Sequence, residues 1–433
     1  MKIKLKNQNQ RKIVYDILNI FYDHDMIVFV NENPDIEIDE SHIFYKTKKL
    51  TYEDNQSLKT NLYDLLVEIT SYKSLWGTLT GSKPSKLLKN KSLDEIKTSY
   101  RVSDQKIRLL DRTNKQQARL NFSHEAFSLY INIPFCPTRC DYCSYPTLVG
   151  INNDKSEYID YLIREIEEID LVGKLDSIYV GGGTPSFLSN EDITRLLAAI
   201  NNKFTYQEFT YEAGRVDTLD RQKLDILKEG RLGRISLNPQ TFNRQILRGL
   251  NRDIDLDRFI EIYNYAKSLG LIINMDFIIG LENENAELFS KNFPILARLL
   301  PDNITFHSLA IKSGSVYRQK NKMGEVEDAI LISKMIDDFT RTYTYEPYYL
   351  YRQKNIISNL ENVGYQRNDT ASRYNIIINE ELANIVGLGM NANSKFTNGS
   401  KFRNPRNLRD YYENFNSSIA YKNKLIREVR SWK

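Results

Sequence analysis

The second part of the chain alternates between short apolar runs and longer amphipathic segments. Six apolar runs are typical of buried strands: 127–133, 177–185, 208–214, 233–238, 271–281 and 303–311. The intervening segments are long enough for helices; residues 155–169, for example, place Ile159, Ile163 and Ile166 on one helical face. Because strands that alternate with helices favour a parallel sheet, the pattern predicts an α/β fold.

Residues 1–121 show a different pattern, which we interpret as an N-terminal accessory α/β domain. Residues 26–30 and the alternating stretch 36–46 predict strands. Residues 61–77 have helical apolar spacing that ends at a glycine. A polar run over residues 111–121 predicts a linker or an exposed helix, so we place the domain boundary there.

Composition and charge indicate which partners and which cell compartment to expect for the protein. Sixty Lys and Arg against 56 Asp and Glu give a net charge of +4, so no bulk electrostatic attraction to nucleic acid is expected. No apolar run approaches the length of a membrane span, and the N-terminus lacks the apolar centre of a signal peptide. We therefore expect a cytoplasmic protein with no membrane span and no nucleic-acid partner.

All three cysteines of the chain lie together, directly after the first of the six apolar runs. Cys136, Cys140 and Cys143 have the spacing C-x3-C-x2-C. A structural zinc site needs four ligands, and His124 is the histidine that could supply the fourth. A ferredoxin-type cluster needs four cysteines. The remaining interpretation is a [4Fe–4S] cluster with one iron open to a small-molecule chelator.

Further polar or glycine-rich groups also follow predicted strands. In GGGTP (181–185), glycine allows a positive φ or a close approach of the backbone to a ligand, and a tight strand-to-helix turn is the alternative. Glu212 ends a strand, where a surface salt bridge is the alternative to ligand binding. Asp276 lies in an apolar strand and is costly there unless it is paired. In parallel βα barrels, the carboxyl ends of the strands carry the active site.

The cysteine motif resembles the radical S-adenosylmethionine (SAM) superfamily, and further motifs resemble its oxygen-independent coproporphyrinogen III oxidase family. These motifs are YINIPFC (130–136), GGGTP (181–185), RISLNPQTFN (234–243), LNRDID (250–255), NMDFIIGL (274–281) and GLGMNANS (387–394). Two others, WGTLTGSKPSK (76–86) and YYLYRQKN (348–355), resemble the HemZ-type branch, also called coproporphyrinogen dehydrogenase. The resemblance implies an incomplete (β/α)6 TIM-like barrel over 126–315 and a mainly helical domain over 316–433 that covers the substrate.

The resemblance also implies the cofactors and the site residues. The three cysteines would bind a [4Fe–4S] cluster whose free iron chelates the amino and carboxylate groups of SAM, and reductive cleavage of SAM would release a 5′-deoxyadenosyl radical. Nine residues would lie beside SAM: Gly182, Gly183, Thr184, Glu212, Gln240, Arg252, Asp276, Ile278 and Ala310. Tyr130 would lie near the substrate or SAM as a catalytic candidate, with core packing as the alternative.

The reaction implied by the family is the oxidative decarboxylation of coproporphyrinogen III to protoporphyrinogen IX in heme biosynthesis. The propionate carbon that reacts is unactivated, so a radical source is required and the cofactor carries the difficult chemistry. The expected partners are the tetrapyrrole and an electron donor such as flavodoxin or ferredoxin. The alternatives are a heme chaperone of the same family and another SAM enzyme acting on tetrapyrroles, such as a heme-degrading methyltransferase.

Some positions depart from the family pattern, and for others the sequence leaves more than one role open. Tyr145 stands where the best-characterised oxidases have a further cysteine, which the chaperone branch also lacks, and Asn393 replaces a usually apolar residue. His307 is a candidate only, since a lone strand histidine is more often a hydrogen-bonded core residue. Four basic residues could bind substrate carboxylates, although each alone is more often a solvated charge: Lys312, Arg352, Lys354 and Arg403.

Overall fold

The chain divides into two compact units that are not simply consecutive in sequence. The structure is a computed structural model that describes residues 1–81, 83–150, 155–310, 326–353 and 356–431. One unit comprises Met1–Lys115 together with Leu350–Glu361, and the other comprises Gln116–Tyr349 and Asn362–Lys433. The first division falls near the polar run at 111–121, whereas nothing in the sequence pattern indicates that Leu350–Glu361 belongs with the N-terminal residues.

The N-terminal unit contains a mixed sheet packed against helices. Its strands are β1 (Lys2–Leu5), β2 (Val28–Phe29), β3 (Ile36–Ile38), β4 (His42–Tyr45) and β5 (Lys48–Thr51). Its helices are α1 (Arg11–Leu18), α2 (Asn55–Thr70), α3 (Pro84–Leu87), α4 (Leu93–Tyr100) and α5 (Asp104–Gln117), whose last two residues enter the second unit. Among the described residues the strand order is β2-β1-β3-β4-β5, parallel around β1 and antiparallel from β3 to β5.

Two element predictions for this unit are wrong in their bounds. The helix predicted over 61–77 spans Asn55–Thr70, because the Asp54 side chain caps its first turn by accepting from the Ser57 N–H at 2.7 Å. It ends where Ser71 adopts a φ of 59°. The stretch 36–46 forms two strands, since Asp39 accepts from the backbone N–H groups that follow it and makes a turn.

A buried ion pair fixes Leu350–Glu361 in the N-terminal unit. Lys106 Nζ lies 2.5 Å from Glu361 Oε1, and the two side chains are 3% and 6% exposed. The indole N–H of Trp76 donates to the other carboxylate oxygen at 2.6 Å. One carboxylate therefore satisfies two buried donors that come from separate N-terminal segments, as buried charges require.

Arg352 lies in the same segment and is also buried, at 4% exposure. Its guanidinium donates to the carbonyl oxygens of Leu79, Asn359 and Leu360. Burial lowers the pKa of Arg352 to about 10. The expectation that Arg352 could bind a substrate carboxylate is thus corrected: its N–H groups are used by the protein's own backbone.

The second unit is the predicted α/β fold. Its barrel strands are β6 (Phe127–Ile133), β9 (Lys174–Gly182), β10 (Thr205–Gly214), β11 (Arg234–Leu237), β12 (Ile272–Ile279) and β13 (Asn303–Ser308). Short strands β7 (Phe135–Cys136) and β8 (Leu148–Val149) follow β6. Its helices up to residue 300 are α6 (Lys155–Glu168), α7 (Asn190–Lys203), α8 (Arg221–Glu229), α9 (Arg244–Gly249), α10 (Leu256–Ser268), α11 (Ala286–Ser290) and α12 (Asn292–Leu299).

The six barrel strands pair in parallel in the order β6-β9-β10-β11-β12-β13. This confirms the incomplete (β/α)6 barrel. One face of this sheet is apolar, and its residues Leu129, Ile178 and Ile235, for example, are fully buried. The alternating face carries polar side chains such as Asn132, Glu212 and Asp276. A parallel sheet brings the carboxyl ends of all its strands to one edge, and that edge holds the cysteine loop.

The C-terminal region supplies strands as well as helices. Its strands are β14 (Glu346–Tyr351), β15 (Asn362–Gln366), β16 (Asn384–Leu388), β17 (Asn393–Lys395) and β18 (Lys401–Arg403). Its described helices are α13 (Val326–Thr342), α14 (Arg373–Glu380), α15 (Leu408–Glu413) and α16 (Phe415–Ser431). Strands β15 and β14 extend the sheet beyond β13, while β16, β17 and β18 extend it beyond β6. None of the helices that the structure describes has both the length and the apolar character needed to cross a bilayer.

We expect Glu361→Ala to destabilise the N-terminal unit by ~3–5 kcal/mol, because it leaves the Lys106 ammonium buried without its carboxylate. Chemical denaturation can be followed by the fluorescence of Trp76 in a Trp432→Phe background, since these are the two tryptophans of the chain. The matched control is Glu413→Ala, which removes an exposed i,i+4 partner of Arg409 and should cost less than about 1 kcal/mol. Equal effects of the two substitutions would contradict the prediction.

Candidate active site

The cysteine loop begins where β6 ends, and its base is closed by backbone pairing. Strands β7 and β8 pair in parallel, with Cys136 opposite Val149. The Leu148 N–H donates to the Pro134 carbonyl at 2.8 Å, and the Gly150 N–H donates to the Cys136 carbonyl at 3.1 Å. The first cysteine is therefore fixed at the base of the loop.

The GGGTP turn after β9 packs directly against this base. The N–H groups of Gly183 and Thr184 donate to the carbonyls of Ile133 and Phe135 at 2.7 and 2.8 Å. The Thr184 hydroxyl lies 3.3 Å from Cys136 Sγ, and a Cβ added to Gly183 would lie 3.0 Å from the same sulfur. The N–H groups of Gly183 and Thr184 therefore bind the cysteine loop.

Residues after β10 and α9 also contact the loop. Arg215 donates to the Thr138 hydroxyl at 2.7 Å, which donates to the Asn251 carbonyl at 2.9 Å. The Asn251 side chain in turn donates to Asp141 at 2.8 Å. Because both partners of Thr138 come from the ends of barrel elements, the middle of the loop is tied to the barrel.

Arg252 links two strand ends to the tyrosine of the cysteine motif. Its Nη2 donates to the Gly214 carbonyl at 2.8 Å and also to the Asn238 carbonyl. Its Nη1 lies 3.4 Å from the Tyr142 hydroxyl, and the Tyr142 ring packs against an apolar cluster that includes Ile278. Arg252 is 8% exposed, so it adds a buried positive charge beside the cysteines.

The donor set fits an iron–sulfur cluster. Burial raises the pKa of Cys136 and of Cys143, so both are neutral thiols until a metal deprotonates them. The positive charge of Arg215 partly counteracts this rise for Cys136, and that of Arg252 does so for Cys143. Both guanidinium groups can offset the charge of a thiolate. Within the described ranges, no three Cys, His, Asp or Glu side chains converge as ligands of a single ion would. In a cubane each cysteine binds a different iron, so such convergence is not required.

The structure does not place His124 as a ligand beside the cysteines. His124 is exposed and precedes β6, whereas the cysteines follow its other end. A seven-residue strand spans about 20 Å, which is far beyond a metal–ligand distance. The zinc site that used His124 as a fourth ligand is therefore excluded.

Half-buried carboxylates line the neighbouring strand ends. Glu212, on β10, accepts from Asn238 Nδ2 at 3.3 Å. Burial, and then repulsion from Asp276, raise the pKa of Glu212 to about 7. Asp276 accepts from Asn274 Nδ2 at 2.8 Å, and its other oxygen lies 3.7 Å from His307 Nε2. The structure thus brings Glu212, Asp276 and His307 together.

The backbone of Gln240 clamps β12 at this edge. Gln240 has a φ of 67°, its N–H donates to the Asp276 carbonyl, and its carbonyl accepts from the Ile278 N–H, each at 2.9 Å. The Ile278 N–H is therefore engaged within the protein. Ala310 is half-buried and lies two residues beyond β13, at the same end of the sheet.

Tyr130 belongs to a stack of three tyrosines. Its ring lies 6.3 Å from that of Tyr179 and 6.2 Å from that of Tyr374, and the latter two rings lie 4.6 Å apart. The Tyr130 hydroxyl lies 2.8 Å from the hydroxyl of Tyr145 in the cysteine loop. Burial keeps the pKa of Tyr130 well above its usual value, so the phenol stays protonated.

Sequence reasoning missed several residues that the structure places here: Asn132, Tyr179, Arg215, Asn238 and Tyr374. Arg215 and Asn238 follow strands, so the rule that selected Glu212 could have found them. Tyr374 had no such signal, because it comes from a C-terminal helix.

Of the other basic candidates the structure describes Arg403, whose positive charge acts on Tyr145 of the cysteine loop. Arg403 is exposed and donates to Asn393 Oδ1 at 2.7 Å across β17 and β18, which also accounts for the polar residue at position 393. Lys312 and Lys354 lie outside the described residues.

Comparisons with known proteins agree with this geometry. The radical SAM superfamily profile matches residues 130–291. The Bacillus subtilis oxygen-independent coproporphyrinogen-III oxidase-like protein HemZ is 33% identical over 88% of this chain and 83% of its own length. The Lactococcus lactis heme chaperone HemW is 30% identical over 46% of this chain and 52% of its own length. The solved coproporphyrinogen III oxidase HemN of Escherichia coli shares the fold, with a TM-score of 0.58 at 22% identity over 71% of this chain and 73% of that one.

The superfamily match and the cysteine loop together identify the cofactors as a [4Fe–4S] cluster and SAM. Because the similarity to HemZ covers 88% of the chain, it includes residues of the N-terminal unit, which the superfamily profile at 130–291 does not reach. The chain therefore belongs to the radical SAM superfamily and, within it, to the HemZ-type branch of the oxygen-independent coproporphyrinogen III oxidase family.

Proposed function

We propose that the protein converts coproporphyrinogen III to protoporphyrinogen IX by oxidative decarboxylation without oxygen, in the cytoplasm. The observation that carries this proposal is the 33% identity to HemZ over 88% of the chain. The three-cysteine loop, with the cationic side chains of Arg215 and Arg252 beside it, supports the same reaction class.

When bound, the cluster and SAM supply a carbon radical that can remove a hydrogen atom from an unactivated propionate carbon. Cys136, Cys140 and Cys143 would hold the cluster. Glu212 and Asp276 would bind the amino group and hydroxyls of SAM. The propionate then loses CO2, its side chain becomes a vinyl group, and an acceptor takes the remaining electron. The chain's contribution is orientation and exclusion of water and oxygen.

Gly182, Gly183 and Thr184 would shape the space beside SAM, with Thr184 and Gly183 acting through the cysteine loop they bind. Gln240, Ile278 and Ala310 would contribute backbone walls at the same edge. Tyr130 would face the substrate. The proposed partners are the tetrapyrrole and a one-electron donor of the flavodoxin or ferredoxin class.

A heme chaperone is the second candidate, and one observation favours it. Tyr145 occupies the place of the extra cysteine of the best-characterised oxidases, so the thiol of that cysteine is absent. The Tyr145 hydroxyl forms hydrogen bonds with Tyr130 and Asn132. The similarity to HemW of Lactococcus lactis is consistent with this alternative. Such a protein would keep the cluster but bind heme stoichiometrically.

Anaerobic incubation of the reconstituted protein with coproporphyrinogen III, SAM and a reductant separates the two functions. We expect the loss of two CO2 per tetrapyrrole by mass spectrometry, with consumption of SAM. Cys140→Ser should abolish both iron retention and turnover, because it removes one of three thiolate ligands. Stoichiometric heme binding without a vinyl product would refute the oxidase and support the chaperone.

We expect SAM affinity to fall as the pH is lowered through about 7, because protonation of Glu212 removes the negative charge that would accept hydrogen bonds from the SAM amino group or hydroxyls. Below that value the dissociation constant should rise by up to about tenfold per pH unit. Isothermal titration calorimetry between pH 6 and 8.5 measures it, and Glu212→Gln should flatten the profile.

The matched control is Glu284→Gln. Glu284 is buried and its pKa is likewise raised to about 7, but it accepts a hydrogen bond from the Thr241 hydroxyl. This variant should retain the pH dependence of SAM binding. A flat profile in the unmodified protein would rule out the role of Glu212.

A further inference from the structure

The side chain of Asn132 contacts the cysteine loop, the C-terminal loop at Met390 and the glycine turn after β9. It comes from β6 and is fully buried. Its Nδ2 donates to the Met390 carbonyl at 2.6 Å, while its Oδ1 lies 3.2 Å from the hydroxyls of both Tyr130 and Tyr145. The glycine turn is close as well, since a Cβ added to Gly182 would lie 2.1 Å from Asn132 Oδ1.

This arrangement fixes the orientation of the amide. If its oxygen and nitrogen were exchanged, the oxygen would face the Met390 carbonyl, and two acceptors would meet without a proton. In the observed orientation the amide donates to the C-terminal loop and accepts from the tyrosines. Asn132 can therefore fill this position only in one way.

The hydroxyl of Tyr145 lies within hydrogen-bond distance of Asn132 Oδ1 and of the Tyr130 hydroxyl. The two hydroxyls and Asn132 Oδ1 form a triangle with sides of 2.8, 3.2 and 3.2 Å. The amide oxygen carries no proton and can only accept. The two hydroxyl protons can therefore form hydrogen bonds along only two of the three sides. Tyr145 follows Cys143 by two residues, and this triangle thus anchors the end of the loop that carries the third cysteine.

The far side of Asn132 is itself fixed by buried contacts. The Tyr158 hydroxyl donates to the Asn132 carbonyl at 2.6 Å and accepts from the Met390 N–H at 3.0 Å. The neighbouring Gly389 N–H donates at 2.7 Å to Glu165, which is paired with the fully buried Lys422 of α16. Asn132 therefore has a rigid support on the C-terminal side.

We infer that Asn132 is a positioning residue: it fixes the Tyr145 hydroxyl and, through it, the position of Cys143 relative to Cys136. Cys136 has its own supports in Thr184 and the β7–β8 pair. The inference concerns the cluster and SAM, and so it does not depend on which tetrapyrrole reaction the protein performs.

The test uses the full chain with Asn132→Leu, Tyr145→Phe and the double substitution. In the anaerobic apo-protein, the rates at which iodoacetamide alkylates each cysteine are measured by mass spectrometry. Cys143 should react roughly tenfold faster in both single variants, as expected for the loss of about one hydrogen bond. Cys136 should keep its rate, and the double variant should match the singles, because the two residues act as one unit.

The reconstituted proteins provide the second readout. The electron paramagnetic resonance spectrum of the reduced cluster, with and without SAM, should change in the same way in both single variants. The matched control is Asn384→Leu, which removes another fully buried asparagine that joins separate segments, through His124, Ala126 and Thr397. It should lower thermal stability while leaving Cys143 reactivity and the cluster spectrum unchanged.

Should Asn132→Leu fail to fold, Tyr145→Phe decides the question alone, because it keeps the ring and removes only the hydroxyl. Unchanged Cys143 alkylation and an unchanged spectrum in Tyr145→Phe would overturn the inference. So would an Asn132→Leu protein that behaves like Asn384→Leu in every readout.

Discussion

Two backbone hydrogen bonds set the geometry on which the site depends. The N–H groups of Gly183 and Thr184 bind the carbonyls on either side of Pro134, where the chain leaves β6 and enters the cysteine loop. A loop of this length has many accessible conformations, and ordering it costs entropy. Because the parallel sheet fixes the turn after β9, these two bonds also fix the position of Cys136 relative to the barrel.

The remaining loop contacts follow the same plan. Arg215 and Arg252 extend from the ends of β10 and beyond β11, and each uses its donors on backbone or hydroxyl oxygens of the site. Buried cations are costly unless paired, and a cluster bound by thiolates supplies negative charge at the same place. Positive and negative side chains therefore occupy different parts of the barrel mouth. The cations face the cysteines. Glu212 and Asp276 lie deeper, where a cationic group of a ligand would be favoured.

The sequence could predict the barrel and the residues at its strand ends, since each rests on local signals. Apolar runs located β6 and β9 to β13, and the rule that parallel strands share a functional edge brought Cys136, Glu212 and Asp276 together. Contacts between distant segments carried no such signal. Arg352 looks like a solvated or substrate-binding charge in its sequence context, yet it is buried against carbonyls. Tyr374 could not be predicted for the same reason, since it contacts the Tyr130 ring from a helix far along the chain.

The ion pair between Lys106 and Glu361 has a consequence for biosynthesis. Its partners are separated by 255 positions, so the ribosome must complete most of the chain before the pair can form. At ordinary translation rates that interval is on the order of tens of seconds. During this time the Lys106 ammonium and the Trp76 indole N–H of the nascent N-terminal unit lack the Glu361 carboxylate that binds both of them in the folded protein.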